Sequence, residues 1–173
     1  AVLAEGVAGR DALVSAQTGS GKTVAFGLAV APEILNGQDV LLYADKPIAL
    51  AIAPTRELAL QVARELEWLY AGAQAKLATC VGGMDASRER RNLSQGVHIV
   101  VGTPGRLRDH VERGAERGIR VHVVVVTHLL ALQLRRLGDA VTADARVDRG
   151  ALVRVLAVAE RLEPLGLDRQ VLG

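Results

Sequence analysis

The sequence predicts an α/β fold with three layers, in which helices cover both faces of a mainly parallel sheet of about five strands. Strand and helix patterns alternate along the 173 residues. The strand patterns are almost continuously apolar, which is typical of strands buried on both faces. Glycine-rich turns follow the strands, at the edge where such folds bind ligands. A chain of this length accommodates one domain of ordinary size.

Five apolar runs predict the strands, over residues 11–16, 48–53, 77–81, 97–101 and 121–126. A glycine-rich turn ends the first run, and Pro54 closes the second. The third run ends at Gly82 and Gly83, which are turn residues. The last run has the strongest strand pattern of the five. Each strand is therefore bounded by a turn signal or followed by a helical pattern.

Helical periodicity occupies the segments between these strands, over residues 22–35, 55–70 and 85–94, with a short helix from Pro104. Asn36 and Gly37 are stop signals for the first helix. Thr55 is expected to cap the second helix, whose first turn carries acidic residues. Pro104 occupies the helix position that proline favours. Two further helices are predicted over residues 128–137 and 151–162.

Composition excludes several classes of protein. Half of the residues are hydrophobic and 23% are charged, which is a globular composition. The net charge of +2 is too small for a general polyanion binder, so any contact with nucleic acid must come from placed residues. No aromatic residue follows Tyr70, which argues against a surface that stacks bases. Trp68 and Tyr70 are expected to pack in the core.

One cysteine and the pattern of apolar runs predict the compartment. Cys80 is the single cysteine, so an intrachain disulfide framework is excluded, and a small buried thiol in a reducing compartment is expected. The sequence shows no signal-peptide pattern, and its longest apolar stretch is too short to span a bilayer. We therefore expect a cytoplasmic protein that makes no membrane contact.

The segment from Ala16 to Thr23 predicts a phosphate-binding loop, because it lies between a predicted strand and a predicted helix. Gly19 and Gly21 allow successive backbone N–H groups to point at an anion, and the helix start adds its positive end. Lys22 can reach the β- and γ-phosphates of a nucleotide, and the Thr23 hydroxyl can hold Mg²⁺. Ala16 stands where the pattern usually has its first glycine. The alternative is a glycine-rich turn with an exposed lysine. The predicted nucleotide site comprises Ala16, Gln17, Thr18, Gly19, Ser20, Gly21, Lys22 and Thr23.

Three further motifs follow this loop: Pro54-Thr-Arg-Glu-Leu-Ala59, Gly82-Gly83 and Thr103-Pro-Gly-Arg106. Thr55 and Thr103 each follow a strand and flank a helix start, where hydroxyl and N–H groups can bind a phosphate oxygen. Arg56 and Arg106 can add charge-assisted hydrogen bonds. These motifs hold no group that would read a base, so binding would be independent of sequence. The alternative is that the threonines only cap helices and the arginines are solvated.

Taken together and in this order, the phosphate-binding loop and the three motifs resemble the first RecA-like domain of the DEAD-box ATP-dependent RNA helicases, over about residues 1–110. The resemblance implies a RecA-like P-loop NTPase fold that binds ATP and Mg²⁺, with Lys22 and Thr23 as catalytic residues. It implies that single-stranded or structured RNA binds through its backbone. A second RecA-like domain, which the family uses to complete the site, is absent from these residues. The residues implied to contact RNA are Thr55, Arg56, Gly82, Gly83, Thr103 and Arg106.

The match to the family pattern fails farther along the chain. Where the family has a strand ending in Asp-Glu-Ala-Asp, the first two positions hold Thr127 and His128. A neutral threonine cannot balance the charge of Mg²⁺, and histidine is a poor ligand for that hard ion. The family's Ser-Ala-Thr motif is not found downstream either. We therefore expect a helicase-like ATP-binding domain over residues 1–113 and a divergent continuation over residues 114–173.

Two functions stay open from the sequence. The first is the ATP- and RNA-binding part of a DEAD-box-like RNA helicase, an ATP hydrolase that unwinds or remodels RNA. The second is a catalytically inactive nucleotide- and RNA-binding module, or a truncated pseudogene-like product. The residue pair at the end of the strand over 121–126 separates them, and Thr127 and His128 favour inactivity of these 173 residues.

Overall fold

The computed structural model of the chain describes residues 12–15, 21–44, 46–114, 123–127 and 154–159, and the side chains of residues 21–44 and 46–110. Strands and helices alternate in these ranges as the sequence predicts. The elements are β1 (Ala12–Ser15), α1 (Lys22–Leu35), β2 (Ala49–Ile52), α2 (Arg56–Leu69), β3 (Leu77–Cys80), α3 (Ala86–Ser94), β4 (Ile99–Gly102), α4 (Pro104–Gly114), β5 (Val123–Thr127) and β6 (Arg154–Ala159).

The six described strands form one sheet in the order β1-β6-β5-β2-β4-β3, and every pair is parallel. Around the centre of the sheet the strands end level with one another. Ile52 pairs with Gly102 on one side and with Val126 on the other, and Gly102 pairs with Cys80. The turns after β2, β3 and β4 consequently emerge side by side at the carboxyl edge.

Alternate residues of the central strands face two separate hydrophobic clusters. Ala49 and Ala51 of β2 lie in the cluster that α1 and α2 complete. Leu50 and Ile52 lie in the second cluster, which Leu107 of α4 shares. The predicted three-layer α/β architecture with a mainly parallel sheet is therefore confirmed, and burial on both faces explains why these strands are so apolar.

The helix boundaries agree with the sequence signals. α1 ends at Leu35 and is capped by Asn36, whose φ of 46° is left-handed, and α4 begins at Pro104. The Thr55 hydroxyl oxygen accepts a hydrogen bond from the Leu58 N–H at 3.3 Å, so Thr55 caps α2, with Glu57 in the first turn. No helix in the described part of the chain combines the length and apolar character that crossing a membrane requires.

Two predictions are wrong. The segment over 151–162, predicted as a helix, contains strand β6, which pairs with β1 on one side and β5 on the other. Periodicity alone cannot distinguish a short buried strand from a buried helix. Here the segment forms a strand because it pairs with a neighbour at each edge. Trp68, predicted to pack, is 71% exposed. The predicted helix over 128–137 lies outside the described residues.

Tyr70, unlike Trp68, is buried as predicted, and it joins the two helices on one face of the sheet. Its hydroxyl donates to the Gly27 carbonyl oxygen at 2.6 Å, across the contact between α1 and α2. Burial raises the pKa of Tyr70 well above its usual value, and Glu33 adds to the effect. The phenol therefore stays protonated and able to donate this hydrogen bond throughout the neutral range.

Replacing Tyr70 tests this helix contact. Tyr70→Phe keeps the ring and removes the buried hydrogen bond, so the free energy of unfolding should fall by about 1 kcal/mol, measured by urea unfolding. Tyr43→Phe makes the same chemical change at a side chain that is 73% exposed and should change stability by less than about 0.5 kcal/mol. Equal losses in the two variants would contradict the assigned role.

Candidate functional site

Three of the predicted motifs meet at the carboxyl edge of the sheet. The Ala53 N–H, just after β2, donates to the Gly102 carbonyl oxygen at 3.0 Å. The Thr103 N–H, just after β4, donates to the Cys80 carbonyl oxygen at 3.0 Å. These bonds extend the sheet ladder beyond the strand ends. They place the turns that carry Thr55, Gly82-Gly83 and Thr103 next to one another.

Arg56 lies against the Gly82-Gly83 turn. Its Nη1 atom donates to the Gly82 carbonyl oxygen at 3.1 Å, and the side chain is exposed. Gly83 has a φ of 79°, and a Cβ at this residue would lie 2.5 Å from Arg56 Nη1. The left-handed backbone conformation is what favours glycine at this position, since the crowding atom is the end of a flexible, exposed arginine side chain. The structure thus brings three of the predicted RNA-contacting residues together.

Thr55 and Thr103 stand at the starts of α2 and α4 on this same edge. The capping alternative holds for Thr55, whose oxygen accepts from the Leu58 N–H. A hydroxyl has one donor and two acceptor sites, so the cap leaves its O–H able to donate to an anion. Thr103 is half-buried, and its carbonyl accepts from the Leu107 N–H at 3.0 Å as α4 begins. Both helices direct their positive ends toward this edge.

Arg106, the arginine of the third motif, is not solvated. Its Nε donates to Glu89 Oε2 at 2.8 Å, and its Nη2 donates to the Met84 carbonyl oxygen. The side chain is 17% exposed. The guanidinium therefore links α4 to α3 and to the turn that follows Gly82 and Gly83.

The sequence motifs do not point to Glu89 and His110, which the structure brings together with Arg106. The Glu89 side chain is 3% exposed, and its Oε1 accepts from the Val81 N–H at 3.1 Å. His110 Nε2 lies 2.7 Å from Glu89 Oε2. Burying a carboxylate is costly unless it is paired and hydrogen-bonded, and here both oxygens have partners.

A signal for this cluster exists in the sequence. Glu89 lies three positions after Ala86 and four before Leu93, so the three share one face of α3. The second half of the cluster, Arg106 and His110, is four positions apart on α4. A lone acid on the apolar face of a charged helix therefore predicts a buried ion pair, although it does not name the partner.

Cys80 is a small buried residue, as predicted. Burial raises the pKa of its thiol to about 12, with Glu89 adding to the effect and Arg106 opposing it. Ligand atoms of Cys80, Glu89 and His110 lie within 4.8 Å of one another, which is a spacing that could hold a metal ion. Glu89 is already paired with the Arg106 guanidinium, so a cation at this place would compete with that ion pair.

The described part of the predicted nucleotide site is the start of α1. Gly21 is exposed and directly precedes the helix, and Lys22 and Thr23 are its first two residues. A lysine and a threonine at a helix N-terminus suit the phosphates of a nucleotide. Residues 16–20 of the predicted loop lie outside the described residues.

The residues expected around Mg²⁺ fit that ion poorly. Thr23 supplies one hydroxyl oxygen, and β5 ends at Thr127, a neutral residue, while His128 lies outside the described residues. Mg²⁺ prefers carboxylate and phosphate oxygens, and neither of the two described positions carries a carboxylate.

The reactivity of Cys80 tests the burial of this cluster. The thiol has a pKa of about 12, so a disulfide reagent at pH 8 should react at least about 100-fold more slowly with the native chain than with the chain unfolded in guanidinium. Raising the pH from 7 to 9 should leave the thiol of the native chain slow to react with the reagent. The chain has one cysteine, so the released chromophore reports this residue alone. Comparable rates in the two states would contradict the burial.

Comparison with known proteins agrees with this geometry. The profile of the DEAD/DEAH box helicases matches residues 1–131. The chain is 41% identical over 117 residues to the DEAD-box ATP-dependent RNA helicase CshA of Geobacillus kaustophilus. The aligned region covers 68% of this chain and 24% of the relative. It is 41% identical over 121 residues to CshA of Bacillus subtilis, covering 70% of this chain and 23% of the relative.

A fungal relative aligns over more of the chain. Identity to the ATP-dependent RNA helicase DBP2 of Mycosarcoma maydis is 36% over 168 residues, or 96% of this chain and 27% of the relative. The chain spans about a quarter of the length of the curated relatives it matches. The order of the motifs, their meeting at one sheet edge and the profile match agree: the chain belongs to the DEAD/DEAH box helicase family, with the RecA-like α/β fold that the resemblance implies.

Proposed function

We propose that this chain is the ATP- and RNA-binding part of an ATP-dependent RNA helicase, in which the carboxyl edge of the sheet binds the RNA backbone. The observation that carries the proposal is the meeting of the three motif turns, which the Arg56–Gly82 hydrogen bond and the Thr103–Cys80 hydrogen bond tie together. The relatives named above are ATP-dependent RNA helicases, which supports the same function.

The edge offers a backbone phosphate the groups it needs. Thr55 presents a hydroxyl at the start of α2, and the exposed Arg56 guanidinium lies one residue away. Thr103 stands at the start of α4, and Gly82, where a Cβ would meet nothing within 4 Å, leaves room for a sugar–phosphate chain to approach. Hydroxyl, guanidinium and helix-start N–H groups bind phosphate but do not distinguish bases. The proposed binding is therefore independent of RNA sequence, and it holds for single-stranded or structured RNA.

The start of α1 is proposed to bind the nucleotide. Gly21, Lys22 and Thr23 would hold the β- and γ-phosphates, the lysine by its charge and the helix start by its N–H groups. Bound ATP supplies the phosphoryl group whose hydrolysis drives remodelling in a complete helicase.

Hydrolysis is not proposed for these 173 residues alone. Neutral Thr127 ends β5 where the family pattern places the acid that balances Mg²⁺, and a second RecA-like domain would be needed to complete the site. This observation favours the second candidate, a nucleotide- and RNA-binding module without turnover. We also propose a cytoplasmic location, which the buried free thiol of Cys80 supports because it fits a reducing compartment.

Nucleotide binding and turnover can be separated experimentally. A fluorescent ATP analogue should bind the chain, and Lys22→Ala should weaken binding by about 10- to 100-fold, because a charge-assisted phosphate contact is lost. Lys76→Ala, at an exposed lysine next to the start of β3, is the matched control and should bind normally. Phosphate release with RNA present should stay at background. Turnover that Lys22→Ala abolishes would show that the chain is an active hydrolase.

RNA binding can be tested at Arg56. Arg56→Gln should weaken binding to unstructured poly(U) and poly(A) equally. It should also reduce the slope of log affinity against log salt by about 0.7, the value for one phosphate contact on a single strand. Arg64→Gln, two turns along the same helix at an exposed arginine, is the control for net charge. An unchanged slope in Arg56→Gln would remove this residue from the proposed interface.

A further inference from the structure

Glu89 joins three segments that the proposed RNA-backbone site depends on. Its carboxylate, on α3, accepts from the Val81 N–H directly before the Gly82-Gly83 turn. On the other side it pairs with Arg106 and His110 of α4, the helix that Thr103 begins. A 3% exposed carboxylate with partners on both sides holds its neighbours strongly, because separating them would leave a buried charge unpaired.

Arg106 adds a second link to the same turn. While its Nε pairs with Glu89, its Nη2 donates to the Met84 carbonyl oxygen, one residue after Gly83. The turn from Val81 to Met84 is thus held at both ends by one charged pair. Its middle, the Gly82 carbonyl, accepts from Arg56. The position of the Arg56 guanidinium is therefore coupled through the turn to α4.

The two motif arginines differ in how they are held. Arg56 is exposed and donates to one backbone carbonyl. Arg106 is 17% exposed and donates both to a buried carboxylate and to a carbonyl. To bind a phosphate, Arg106 would have to leave Glu89 with His110 as its remaining side-chain partner. That cost makes Arg56 the better phosphate ligand and Arg106 the better structural link.

From this arrangement we infer that Glu89 is the positioning residue of the RNA-backbone site, and that Arg106 acts on RNA through Glu89 and the Val81–Met84 turn rather than by touching phosphate. The inference rests on the proposed RNA-binding function. It assigns to Glu89 the task of keeping Arg56, the glycine turn and the start of α4 in one fixed arrangement. Binding then requires no reordering of the turn.

The salt dependence of RNA affinity distinguishes positioning from contact. Glu89→Gln and Arg106→Gln should each lower the affinity for poly(U) about tenfold at every salt concentration and leave the salt slope unchanged. The double variant should bind poly(U) no more weakly than either single variant, because both changes break the same link. Glu67→Gln and Arg64→Gln make the same charge changes at exposed sites on α2 and correct for net charge.

Two outcomes would overturn the inference. A slope reduced by about 0.7 in Arg106→Gln would show that this arginine binds a phosphate directly. Tighter binding by Glu89→Gln than by Glu67→Gln would show that Glu89 restrains a phosphate ligand instead of positioning the site.

Amide hydrogen exchange provides a readout that needs no RNA. In both Glu89→Gln and Arg106→Gln, amides of the Val81–Met84 turn should exchange about tenfold faster, while those of β4 keep their protection. Faster exchange throughout the chain would indicate a general loss of structure and would overturn the positioning role, as would unchanged exchange in the turn. If the unaltered chain binds no RNA, the proposed function fails, and the exchange data still decide whether Glu89 holds the turn.

Discussion

The functional edge of this protein depends on one constraint: parallel strands that end at the same level. Ile52, Gly102, Cys80 and Val126 are partners across four neighbouring strands. Because the strands run in one direction, the turns after β2, β3 and β4 emerge side by side. A slip of one residue in any strand would exchange its two buried faces and also displace its turn. Packing of both faces therefore sets the geometry of the proposed RNA-backbone site.

Close packing beneath the edge is part of the same constraint. A Cβ on Gly102 would lie 2.6 Å from the Cys80 carbonyl oxygen and 2.8 Å from side-chain atoms of Leu107. The absence of a side chain there lets α4 begin directly over the end of β4. Glu89 of α3 brings a buried carboxylate against this same helix, where Arg106 and His110 are its side-chain partners. A buried ion pair of this kind contributes little net stability, but it favours one arrangement of the groups around it.

Much of the site could be predicted because its signals are local. Turn residues follow apolar runs, Thr55 accepts from an N–H three residues away, and Pro104 starts a helix at the position proline favours. The ion-paired cluster is different. Glu89 is 17 residues from Arg106 and 21 from His110, so no local pattern names these partners. The strand β6 was missed for a related reason, since its identity depends on β1 and β5.

The sequence by itself determined the family, the order of the elements and the residues offered to a phosphate, because caps, turns and apolar periodicity act within a few residues. The tertiary structure alone decided what those residues do beside one another. In the folded chain, Arg56 donates a hydrogen bond to the Gly82 carbonyl, and Arg106 forms an ion pair with Glu89. Whether a charge faces solvent or a buried partner depends on which elements pack together, and that is decided by burial across the whole sheet.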